Sequence, residues 1–77
     1  MDNNDILRRL RYALELNDNS MIKIFGLADL KVTREQVSNW LKKDDDSDFA
    51  ACNDLLLATF LNGFIILKRG KREGMLP

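Results

Sequence analysis

Residues 53–67, Asn53-Asp54-Leu55-Leu56-Leu57-Ala58-Thr59-Phe60-Leu61-Asn62-Gly63-Phe64-Ile65-Ile66-Leu67, decide the fold. Asn53 and Asp54 are a capping pair, and the run behind them is apolar almost all the way round. A surface helix carries one apolar stripe; a helix apolar on every face is enclosed by protein or by lipid. Thr59, Asn62 and Gly63 interrupt the run, and it falls short of the roughly 18–20 apolar residues of a membrane span. The segment therefore predicts a helix wrapped by protein. A chain of 77 residues buries only about 60% of its surface or a little more. The helix asks for more cover than so short a chain supplies, and this points to a partner, a second copy or a missing half.

Working outward, the sequence predicts three more helices and no strand. The first covers about 4–17, capped by Asn3 or Asn4, with Ile6, Leu7, Leu10, Ala13 and Leu14 at helical spacing. The second covers about 20–28, after the turn Asn17-Asp18-Asn19-Ser20, with Ile22, Ile24 and Phe25 inward. The third covers about 33–43. Thr33 caps it and Gln36 sits three residues on, the capping-box spacing. Val37, Trp40 and Leu41 form its buried edge, so Trp40 is expected against the first and fourth helices. The fourth covers about 53–69, Gly70 reads as its stop, and 70–77 as a tail. The expected fold is all-α: residues 1–77 form a single compact bundle of about four helices, with the apolar C-terminal helix at its centre.

Bulk composition narrows the function. Twelve Lys and Arg balance twelve Asp and Glu, which removes the simple argument for a polyanionic partner. One cysteine and no histidine exclude an internal disulfide and a disulfide-stapled scaffold. The opening Met1-Asp2-Asn3-Asn4-Asp5 lacks the basic n-region and apolar core of a signal peptide. The expected address is cytoplasmic, with no membrane partner.

The usual catalytic constellations are missing. Without histidine, and with one cysteine, zinc spacings and nucleophile–histidine pairs cannot form. The glycines are scattered, so there is no phosphate-cradling loop. Asp44, Asp46 and Asp48 match the first ligands of a calcium loop, but Phe49 stands where glycine is required and Leu55 where the closing glutamate belongs. The run Asp44-Asp45-Asp46-Ser47-Asp48 reads instead as a solvated linker. No catalytic, cofactor-binding or metal-binding residue is assigned, no small-molecule substrate is evident, and the chain reads as a non-enzyme. Cys52 reads as a small core residue.

Residues 20–42 raise a different reading. A short helix, a tight connection and a capped second helix resemble a helix-turn-helix, whose second helix enters the major groove of DNA. Lys31 and Thr33 would then touch phosphate, Arg34 and Ser38 would reach bases, with Gln36 a weaker candidate. Lys31 stands where that motif favours glycine, Leu27 is bulky where it favours alanine, and the acidic run follows directly. Arg8, Arg9 and Arg11, and the cluster Lys68, Arg69, Lys71 and Arg72, could line a nucleic-acid surface. More economically, they serve a helix C-terminus and the chain's own acids.

Three segments carry a family resemblance: Asn4-Asp5-Ile6-Leu7-Arg8-Arg9-Leu10-Arg11-Tyr12-Ala13-Leu14, Val37-Ser38-Asn39-Trp40-Leu41-Lys42-Lys43-Asp44-Asp45 and Phe60-Leu61-Asn62-Gly63-Phe64-Ile65-Ile66-Leu67-Lys68-Arg69-Gly70-Lys71. Together they resemble the YehS-like bacterial proteins, a family of unknown function. The resemblance implies a helical module usually present twice in tandem, of which this chain carries one copy. It implies no catalytic or binding residue. The expected role is a protein-interaction module that packs on a second copy, as a homodimer or on a second tandem module, through Phe60, Phe64, Leu67 or their neighbours. The alternative is a helix-turn-helix regulator using residues 20–42.

Overall fold

The computed structural model describes residues 1–73, with side chains as far as Arg69. Four helices follow in order: α1 Asn3–Ala13, α2 Asp18–Leu27, α3 Arg34–Leu41 and α4 Asp54–Glu73. Among the described residues there is no strand, so the all-α bundle expected from the sequence is the one that forms.

Short polar side chains start each helix by accepting hydrogen bonds from its free N–H groups. Asp2, not Asn3 or Asn4, caps α1, and its carboxylate accepts from the Asp5 N–H at 2.8 Å. Asn17 caps α2 through the Ser20 N–H at 2.8 Å. Thr33 caps α3, accepting from the Gln36 N–H at 3.1 Å while Gln36 Oε1 accepts from the Thr33 N–H at 2.8 Å. This is the reciprocal box that the spacing predicts. Asn53 Oδ1 accepts from the Leu56 N–H at 2.7 Å at the head of α4.

The ends of α1 and α2 share one device. The Leu16 N–H reaches back to the Arg11 carbonyl, and the Leu30 N–H to the Phe25 carbonyl, 2.9 and 3.0 Å away. Each closure needs a left-handed residue just before it, a place favouring glycine. Here Glu15 (φ 53°) and Asp29 (φ 64°) fill it. The expected first helix, 4–17, is therefore cut at Ala13, and Leu14 stays exposed while Leu16 folds back onto the core.

Phe25 is the middle of the core. Its ring lies 5.4 Å from Trp40 and 5.2 Å from Phe60, centroid to centroid, in tilted geometry. Leu7, Met21, Ile24, Val37 and Phe60 are fully buried around it; each such side chain contributes about 1.5–3 kcal/mol on burial. Trp40 is buried, as its edge predicts, in one cluster with Leu7 of α1 and Phe60 of α4, and its ring also meets Phe25 of α2.

Helix α4 packs chiefly on α2. Gly63 makes this approach feasible: a Cβ there would lie 2.0 Å from the Ile24 carbonyl oxygen and 3.1 Å from its Cγ2. α4 also continues through Gly70 to Glu73, where the sequence placed a stop and a tail. One glycine inside a helix costs only about 1 kcal/mol relative to alanine and does not by itself end it. Residues 74–77 of the expected tail lie outside the described residues.

Asn4 ties the pieces together. It is buried, and its Nδ2 donates to the carbonyls of Trp40 and Ala50 at 2.8 and 2.9 Å, while its Oδ1 accepts from the Cys52 N–H at 2.9 Å. One amide thus satisfies the end of α3 and two backbone groups of the segment just before α4, groups that would be costly if buried unpaired.

Candidate interaction surfaces

The expected self-association residues do not stand on the outer surface. Phe60 is 0% exposed, locked between the other helices and Phe25, so it is unavailable to a partner. Phe64 and Leu67 are half-buried and pack against the core. Residues four and three apart stack on one side of a helix, and Leu56, Phe60, Gly63 and Leu67 follow that line inward.

The opposite side of α4 is exposed and largely apolar. Leu55 is 74% exposed, Leu61 40% and Ile65 48%, with Ala58 and Asn62 exposed between them. Asp54 opens this face and Lys68 and Arg69 close it, all exposed. Lys68 Nζ lies 5.4 Å from the Phe64 ring centroid, a cation–π distance. Sequence reasoning expected a helix enclosed on every side; among the described residues α4 is covered on one side only. The signal that separates the sides is Gly63, because a glycine chosen for close approach marks the packed face.

In the helix-turn-helix candidate, Lys31, Thr33 and Arg34 are exposed and Ser38 is half-buried. The Thr33 hydroxyl and Gln36 amide are engaged with each other's backbone. Arg34 Nη2 donates to Asn19 Oδ1 at 2.5 Å. Ser38, one turn after Arg34 in α3, lines a groove of about 470 Å³ with Arg8, Arg11, Tyr12, Asp18, Leu41 and Lys42. Residues 44–48 follow α3 fully exposed and carry four aspartates.

The basic residues of α1 are mostly occupied. Arg8 pairs with Asp5 and donates Nη1 to the Lys42 carbonyl at 2.7 Å, clamping α1 to the end of α3. Arg11 lies 3.8 Å from Asp18, and Lys42 lies 3.4 Å from Asp48. Arg9 is exposed. The Asp2 N–H hydrogen bond, then the Arg8 guanidinium, hold the Asp5 carboxyl below its ordinary range, outweighing partial desolvation. Burial, with Asp2 and Asp54 adding to it, pushes the Cys52 thiol up, away from the reactive thiolate. Among the described residues no three His, Cys, Asp or Glu side chains are placed to hold one metal ion. No helix among them is long and apolar enough to cross a membrane.

Comparison with known proteins places the chain. Residues 3–70 match the family described as a protein of unknown function (DUF1456). The chain is also 47% identical over 73 residues to the uncharacterized protein YehS of Escherichia coli (strain K12). That match takes in 95% of this chain and 47% of the relative, so the chain spans about half the length of the curated relative it matches. No solved structure matches. The chain belongs to this family of unknown function, as its sequence resemblance implies.

Proposed function

From membership of that family as the premise, we propose that the chain is a non-enzymatic protein-interaction module that packs on a second copy of itself through the outer side of α4. The observation that carries the reading is the exposed pair Leu61 and Ile65, with exposed Leu55 toward one flank, on a helix whose other side is already filled. Contiguous exposed apolar surface, flanked by charge, marks association sites. The twofold length of the relative agrees with a module that meets another of its kind. Carboxylates and arginines on α1 serve caps and helix-to-helix ties, which leaves them structural employment without a substrate.

Light scattering on size-fractionated protein tests this. The full chain is expected to pass from monomer to dimer over the micromolar range, and Ile65→Asp to remain a folded monomer. A wild-type chain that stays monomeric at several hundred micromolar, with its helical circular dichroism intact, overturns the reading. A dimer that Ile65→Asp leaves unchanged overturns it equally.

A further inference from the structure

The charge layout of α4 fixes more than the existence of a contact. We propose that two copies pair α4 against α4 in antiparallel fashion, about a two-fold axis passing between Leu61 and Asn62, a geometry that rests on the self-association reading above.

The argument starts from helix spacing. Asp54, Ala58, Leu61, Ile65 and Arg69 recur at intervals of three and four residues, so they lie along one line of the helix. All five are exposed. The acid is at the N-terminal end, the base at the C-terminal end, and the apolar residues lie between. A parallel pair would set Asp54 against Asp54 and Arg69 against Arg69. The antiparallel pair sets Asp54 against Arg69 of the second copy at both ends, and it opposes the two helix dipoles. Asp54 has the capacity for this, since Asn3 Nδ2 engages only its Oδ1, at 2.7 Å.

Shape follows the same register. Ala58 falls opposite Ile65 of the second copy, small against large, so the two helices can interdigitate. Asn62 falls beside the axis. Its amide donates and accepts, so two copies of it can bond to each other, and a single polar residue of this kind fixes register in paired helices. A two-fold contact is self-complementary and closes at two copies.

Charge reversal and cross-linking test the geometry in the full chain. Asp54→Arg alone and Arg69→Asp alone should each weaken dimerisation about three- to ten-fold at low salt, as expected for exposed pairs turned to repulsion at both ends. The two changes in one chain should restore wild-type affinity. In a parallel pair neither single change alters the like-charge contacts, and the double change rescues nothing. Asn62→Cys should cross-link to itself under mild air oxidation, and Leu55→Cys should not. Single reversals without effect, or self-cross-linking of Leu55→Cys in preference to Asn62→Cys, overturn the antiparallel register. If Ile65→Asp still abolishes the dimer in that case, the self-association reading stands and only the register falls. A monomeric wild type removes both.

Discussion

Replacing Gly63 by alanine probes the contact that sets the whole bundle. A Cβ at this position would sit 2.0 Å from the Ile24 carbonyl oxygen and 2.9 Å from its carbonyl carbon. Carbon and carbonyl oxygen rest at about 3.3–3.6 Å, so α4 must retreat from α2 by roughly 1.3 Å. The obstacle is backbone, and no rotamer can relieve it. A radial gap of about 0.5–1 Å already forfeits a quarter to a half of each dispersion contact, and Phe60, one turn away, is fully buried in the same packing. Overpacking of this kind costs about 1–3 kcal/mol and occasionally more, against about 1 kcal/mol gained from alanine's helix propensity. The net expectation is a loss of about 1–2 kcal/mol, or roughly 4–16 °C in melting temperature for a domain of this size. Gly26 is the internal control. It lies in α2, is exposed, and a Cβ there meets nothing within 4 Å. Gly26→Ala should stabilise by about 0.5–1 kcal/mol. Urea unfolding of the two variants beside the wild type reads both signs at once. A Gly63→Ala protein as stable as the wild type would falsify the close approach of α4 to Ile24.

Three further outcomes follow from the same contacts. Asn4→Asp replaces two donated hydrogen bonds by a carboxylate oxygen facing the Trp40 and Ala50 carbonyls, and should cost about 2–4 kcal/mol in chemical denaturation despite equal volume. Asp29→Gly removes a side chain from a left-handed position, and should raise stability by about 0.5–1 kcal/mol in the same assay. Asp5 is held below its ordinary range in the folded chain, so its contribution is complete above the unfolded value of about 3.9 and is lost as pH falls through the lower folded value. Asp5→Asn should flatten the acid limb of the stability profile below about pH 4 and leave its shape above pH 6 unchanged.

Local chemistry made much of the fold legible. The Thr33–Gln36 spacing announces a helix start because the two side chains bond each other's backbone. Val37 and Trp40 announce a buried edge because they fall on one side of a helix. The length of α1 was not legible, because Glu15 adopts a conformation that sequence assigns to glycine. Asn4 was misread as a cap; its three partners lie 36 to 48 residues away, beyond the reach of any local pattern. Phe60, Phe64 and Leu67, the residues expected in a self-contact, belong to the inward side of α4. In a run as apolar as Leu55–Leu67, hydropathy has no contrast between inner and outer faces, and only the backbone approach at Gly63 distinguishes them.

The outer side of α4 as the self-packing surface is tested most directly by a dilution series followed by amide NMR. Between about 20 µM and 1 mM, the account predicts concentration-dependent shifts at Leu55, Ala58, Leu61, Asn62 and Ile65, with Lys31, Thr33, Arg34 and Ser38 unmoved. Spectra that do not change with concentration, or shifts gathered on the α2–α3 connection and α3, would contradict it.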